Sequence, residues 1–429
     1  MSVLEHRETL APEGGGNFGR RIFADQYPWM AVMISFLILA VSYGLRGAFA
    51  VFFVVFLDEF GGARSATAVV FTVSYVIWAV VSPLVGTVVD RWGVRLTFLA
   101  GGVFLLLGLV LTSLATEFWQ IFLFFGGFFA LGLALLDVIP ITSYVDQLHT
   151  RSKGKAFGFA FSGRGIGHML MLPVSQYLIS LAGWRHAFRI LGGVVFGIIF
   201  LFCLAVRARG GASTTDGSRL TQPDAADGSV TTAQAMRTFY FWRLFTLRFF
   251  TSYGVYAVSV HLVAFLTDIG HSRFYGATVT GLIGVLGFGG AIILGYISDN
   301  VGRARTMIIG FIFSSLGVAC LLLAHVFPWQ GVIVLFLFFF GMGYGARGPI
   351  FAALASDLFS GKSLGRIYGL ITLGVGLGEA VGPWMAGFLF DQTGNYVMSF
   401  LSVLVSFAVA VALTVGIERK VSERAAAGA

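Results

Sequence analysis

Gly86-Thr-Val-Val-Asp90-Arg91-Trp92-Gly93-Val94-Arg95 is a charged, glycine-bearing turn between two long apolar runs. It returns as Gly295-Tyr-Ile-Ser-Asp299-Asn-Val-Gly302-Arg303-Ala-Arg305, 209 positions later (299 − 90), again between apolar runs. Other stretches repeat at almost the same distance. Ser42-Tyr43-Gly44 matches Ser252-Tyr253-Gly254 at 210 (252 − 42), and Gly163-Arg-Gly-Ile-Gly167 matches Gly374-Val-Gly-Leu-Gly378 at 211 (374 − 163). One offset explains all of them, so the chain carries two copies of one plan.

Composition says what solvent that plan is built for. Of 429 residues, 57% are hydrophobic and only 11% charged. An ordinary soluble chain carries about 25% charged residues. A single soluble core does not absorb so much apolar surface, which points to lipid. Apolar runs of roughly 20 residues cross a bilayer as helices, because the backbone must satisfy its hydrogen bonds internally. The runs lack the strict alternation of a barrel strand. The expectation is an all-α membrane protein with twelve transmembrane helices in two pseudo-symmetric six-helix bundles.

The predicted organisation is a tail over 1–25, a bundle over 26–206, a linker over 207–238, a second bundle over 239–417 and a tail over 418–429. The linker is rich in Gly, Ser, Thr and Asp and reads as flexible. The first tail is polar and charged, reads as disordered, and lacks the apolar core of a cleaved signal peptide. Lys and Arg crowd into the tails, the linker and alternate loops, whereas Arg64, Arg185, Arg189 and Arg273 fall on the other side. The bias predicts that both termini are cytoplasmic. It also accounts for the net charge of +8 without nucleic acid. Cys203 and Cys320 lie inside apolar runs and read as packing residues. No phosphate loop, nucleophile elbow or metal-spaced Cys/His cluster is present, so the reading is no enzyme, no cofactor and no metal.

The turn motif, its echo, the twelve runs and the six-plus-six repeat resemble the major facilitator superfamily. That resemblance implies alternating access, with two bundles rocking around a cavity lined mainly by spans one, four, seven and ten. Within it, Tyr344-Gly-Ala-Arg347-Gly-Pro349 and Gly365-Arg-Ile-Tyr-Gly369 are similar to bacterial porters of the monocarboxylate and oxalate–formate type. Porters of that type carry an anion-binding Arg in span eight; residues 277–298 of this chain contain none.

Charges at mid-bilayer cost at least about 2.5 kcal/mol even on lenient scales, so they face a cavity or a partner. Arg46, Arg164, Arg248 and Arg347 stand against Asp137 and Glu379 within the spans. This excess of guanidinium favours an anionic cargo, with carboxylate the natural fit. Arg46 sits mid-span with Tyr43 three residues before it and is the leading cargo candidate. Arg347, Tyr344, Tyr253 and His261 complete the expected binding set. Arg347 and Asp137 are 210 apart (347 − 137) and occupy equivalent depths. Either they close an inner gate as an ion pair, or Arg347 serves the cargo and Asp137 a proton. Glu379 and His168, also at matching positions, are candidates for titration during coupling. Asp90, Arg91, Arg95 and Asp299 are expected to hold the bundles closed on one side through Arg pairing and helix N-termini. The expected partners are a small anionic solute, protons and the lipid bilayer, with the chain acting as a monomer.

Overall fold

The computed structural model describes residues 17–148, 153–205, 231–359 and 364–427. Among them the chain is helical and holds no strand. In order come α1 (Asn17–Gly47), α2 (Phe49–Phe60), α3 (Arg64–Ser113), α4 (Phe118–Ile121), a π-helical stretch (Phe122–Phe129), α5 (Ala130–Leu135), α6 (Val138–Leu148) and α7 (Lys153–Ala205). The second copy follows as α8 (Thr232–Met236), α9 (Phe239–Asp268), α10 (Arg273–Val301), α11 (Arg303–Val326), α12 (Gln330–Leu358), α13 (Leu364–Thr393) and α14 (Val397–Ala427).

By length and apolarity, nine helices among the described residues are able to cross a membrane, and the chain is a multi-pass integral membrane protein. Nine rather than twelve meet that measure for two reasons. First, α3 and α7 run on as single units through Gly93 and Gly183, which sit at φ 75 and 77, where only glycine is comfortable. Gly302 and Gly394 occupy the matching turns of the second copy, also at positive φ. Second, among the described residues α12 contributes the shorter apolar stretch Gln330–Gly345. The tails differ from expectation where they are described. Helix α1 starts at Asn17, inside the segment read as disordered, and α14 continues to Ala427. Most of the linker, residues 207–230, lies outside the described residues.

Two cores form. One gathers buried side chains from Ala31 to Cys203 with five from the second copy; the other lies wholly between Ala235 and Ile417. Within each copy the tightest packing is main chain on main chain. A Cβ on Gly163 or Gly167 of α7 would strike the carbonyls of Phe36 or Ala40 on α1. At the matching positions, a Cβ on Gly374 or Gly378 of α13 would strike those of Phe245 or Phe249 on α9. In lipid, where no hydrophobic force draws helices together, such close approach supplies the attraction. Gly167→Leu is therefore expected to destabilise the fold by about 1–3 kcal/mol or more. Gly158 on the same helix has nothing within 4 Å of the added carbon, so Gly158→Ala is expected to be neutral or stabilising by up to about 1 kcal/mol. Thermal unfolding in detergent distinguishes the two.

The copies meet along a seam where α3 packs on α13, α7 on α10, and α2 on α9. Here Thr72 Oγ1 donates to the Ala380 carbonyl at 2.6 Å. Gly165 and Gly284 bring α7 and α10 close enough that a side chain on either would meet the other's carbonyl.

Candidate functional site

Arg46 lies in the last turn of α1, just before the helix is interrupted at Ala48. Its side chain crosses the seam and pairs with Glu379 of α13. Both groups are deeply buried, at 9% and 3% exposure. Aromatic rings box the guanidinium: its Cζ lies 4.4 Å from the Trp78 ring centroid, 5.2 Å from Tyr75, 5.7 Å from Tyr256 and 6.0 Å from Tyr43. Each desolvated cation–π contact is worth about 0.5–2 kcal/mol. Arg46 Nε still has no acceptor. A small cavity opens beside the pair, lined among others by Tyr43, Arg46, Tyr75, His168, Tyr256 and Tyr344. The arrangement offers an anion a buried, forked cation, aromatic walls and one N–H still unmet.

Three of the six expected binding residues line this cavity: Arg46, Tyr43 and Tyr344. The other three do not. His261 is fully buried, with Nδ1 on the Tyr396 hydroxyl at 2.9 Å and Nε2 on the Pro383 carbonyl at 2.8 Å. It is a satisfied structural histidine, one position and about 100° round the helix from cavity-lining Val260. Tyr253 turns to α14, its hydroxyl 2.9 Å from Ser402 Oγ. Arg347 stays inside its own bundle, donating to Ser314 Oγ and lying over the rings of Phe407 and Phe311.

Asp137 and Arg347 are not paired with each other in this conformation. Asp137 accepts from Trp78 Nε1 at 2.6 Å, Tyr43 Oη at 3.0 Å and the Val138 N–H at 2.7 Å. The helix is interrupted at Leu136 (φ −107, ψ 14), between α5 and α6, and Asp137 there meets α1 and α3. Helix α12 carries no such interruption, so Arg347 faces α11 and α14 instead. Arg347 Nε and Nη1 are buried without acceptors. An unpaired buried cation is costly, and Arg347→Met is expected to stabilise the protein by about 1–4 kcal/mol. A rise in melting temperature in detergent is the readout.

His168 lines the cavity, with Nδ1 unpartnered, between Gly47 of α1 and Gly284 of α10. Arg164 lies over Phe161 and Tyr43, and Arg248 over Phe351. Asp90, Arg91 and Asp299 are exposed at one end of the bundles and Arg95 is half-buried.

Polar ties between the copies gather at the opposite end. Asp391 accepts from the N–H groups of Arg64 and Ser65 at 2.9 and 2.8 Å. The Arg64 guanidinium bridges to Asp268 at 2.8 Å, donates to Tyr396 and stacks 3.7 Å from the Phe390 centroid. Arg273 pairs with Asp58 at 2.6 Å. The Arg64 end is thus latched across the seam.

Sequence reasoning missed Trp78, Tyr75 and Tyr256. A weak signal existed: Tyr75 and Trp78 are one helical turn apart, as are Tyr253 and Tyr256. Among the described residues no group of three His, Cys, Asp or Glu is placed to hold a metal, and both cysteines are free.

The family model described as Major Facilitator Superfamily matches residues 35–356 and 290–428. Monocarboxylate transporter 2 of Mus musculus is 25% identical over 408 residues, covering 91% of this chain and 81% of that protein. Monocarboxylate transporter 12 of Homo sapiens is 26% identical over 441 residues, covering 95% and 83%. Among solved structures, a bacterial homolog to the human lysosomal transporter Spinster, crystallised inward-facing and unoccupied, superposes with a TM-score of 0.67 at 15% identity. That alignment covers 92% of this chain and 96% of the other.

Proposed function

Because this chain belongs to the major facilitator superfamily, we propose that it carries a small organic anion, a monocarboxylate, across a membrane by alternating access. The observation that carries the reading is the Arg46 guanidinium, buried at the seam in an aromatic box beside a cavity. A forked cation suits a carboxylate, and aromatic walls suit the short carbon body attached to it. The relatives named as monocarboxylate transporters support the same class of cargo. In this reading Arg46 anchors the cargo, with Tyr43 and Tyr344 beside it. Asp137, His168 and Glu379 respond during coupling to protons or in anion exchange. The Asp90 and Asp299 turns act at the cytoplasmic gate, and the 26–206 and 239–417 bundles are the rocking bodies. The chain works as a monomer in a bacterial inner membrane with both termini in the cytoplasm.

An exporter of cationic compounds on the same fold needs a free carboxylate in the cavity. Glu379 is taken by Arg46 and Asp137 by Trp78 and Tyr43, which favours the anion reading. The test is uptake of radiolabelled pyruvate and benzoate by the purified chain in proteoliposomes. Saturable uptake of either is expected; uptake of neither, with transport of a lipophilic cation instead, would sink the proposal.

A further inference from the structure

We propose that Glu379 is an internal stand-in for the cargo carboxylate, holding Arg46 when the carrier is empty and taking a proton when the cargo displaces it. The inference rests on the organic-anion reading and deepens it.

The geometry begins with reach. Glu379 comes from α13 of one copy and Arg46 from α1 of the other, 333 positions apart; Arg46 lines the cavity and Glu379 holds it from behind. The group Arg46 holds in this structure is therefore already a carboxylate. A cargo carboxylate entering the cavity needs the same guanidinium in the same forked geometry. Within an aromatic box Arg46 serves one of them fully at a time.

Displacement leaves Glu379 at 3% exposure without its counter-ion. An isolated carboxylate out of water is among the costliest things a protein interior can hold, and the group neutralises instead. The other groups acting on it do not substitute for Arg46. From α9, the Tyr256 hydroxyl touches it and Arg248 attracts it, but Arg248 lies against Phe351. Tyr75 of α3 and Tyr344 of α12 are neutral phenols beside it. Asp137, at the break between α5 and α6, repels it; His168 of α7 lines the cavity, and Arg164 lies over the Tyr43 and Phe161 rings. The balanced step is one proton from the side the cargo entered, forming an O–H bond on Glu379, while the cargo carboxylate forms the ion pair with Arg46. No bond in the cargo breaks.

Both states of the site then carry no net charge: Arg46⁺ with Glu379⁻ when empty, Arg46⁺ with cargo carboxylate and neutral Glu379 when loaded. Either can cross the membrane's low-dielectric barrier, so the carrier returns empty and net transport follows. Without the Glu379 carboxylate, the empty carrier would have to reorient around a lone buried guanidinium.

The experiment uses Glu379→Gln in the full chain, in proteoliposomes, with radiolabelled pyruvate and benzoate. Three changes are expected together: apparent affinity tightens by roughly tenfold or more as the internal competitor is lost; net uptake falls by at least about tenfold while exchange against internal pyruvate continues; and both the pH dependence of uptake and the accompanying alkalinisation outside the vesicles disappear. Continued exchange also shows that the variant is folded. Glu379→Asp, which keeps the carboxylate, is expected to restore net uptake. Proton-coupled net uptake surviving in Glu379→Gln would overturn the inference, as would wild-type uptake without proton movement, the result expected if Glu379 passed to Arg248. Wild type that moves neither probe would instead overturn the organic-anion reading beneath it.

Discussion

Arg46→Ala is expected to abolish carboxylate uptake, with Kd for a transported probe weakened by roughly 30- to 5,000-fold. Two losses combine in that figure. The cargo loses the cation that anchors it, and Glu379 is left buried without its ion-pair partner. Truncating one member of a buried, hydrogen-bonded charge pair costs about 2–5 kcal/mol, much of it the penalty on the member left behind. Arg46→Lys keeps the charge but not the planar fork, and loses the stacking on Trp78 and Tyr75. It is expected to fall between wild type and alanine. Isothermal titration in detergent gives the affinities directly, and equal affinities for wild type and Arg46→Ala would remove Arg46 from the site.

The second large effect concerns which end of the carrier is open. Asp391→Ala deletes the acceptor for two N–H groups at the start of α3. Charge-assisted bonds of this kind contribute about 1.5–3 kcal/mol each. The site is partly solvated, so a loss of about 2–3 kcal/mol overall, a population shift of roughly 30- to 150-fold toward opening at the Arg64 end, is expected. Ser259 lines the cavity and provides a reporter. In a background lacking Cys203 and Cys320, Ser259→Cys should react with a membrane-impermeant thiol reagent mainly from the Asp90 end. With Asp391→Ala added, labelling from the Arg64 end should rise sharply. Unchanged sidedness would show that the latch does not govern access.

Much of this was legible before any coordinates. Hydropathy forces helices in lipid, and a repeat near 210 residues is visible in glycines and turn charges that side-chain chemistry constrains tightly. Arg46 stood out because a guanidinium in the middle of an apolar run has no route to water. Its partner did not stand out, because the pair joins residues from different copies and the repeat aligns Glu379 with His168, not with Arg46. Asp137 and Arg347 have separate partners in this conformation for a related reason. Equal depth in two copies does not mean equal facing: the interruption at Leu136 sets Asp137 among α1 and α3, and unbroken α12 has no counterpart. Tyr253 lies three residues from Tyr256 and His261 one from Val260, and only the second of each pair lines the cavity.

The glycine contacts between α1 and α7, and between α9 and α13, have a mechanical meaning. Where backbone lies on backbone there are no rotamers to reshuffle, so these helix pairs are stiff and flex little whatever the solute. Strain from a bound solute is therefore expected to be relieved at side-chain contacts between the copies, among them the edge-to-face meeting of Tyr75 with Tyr256.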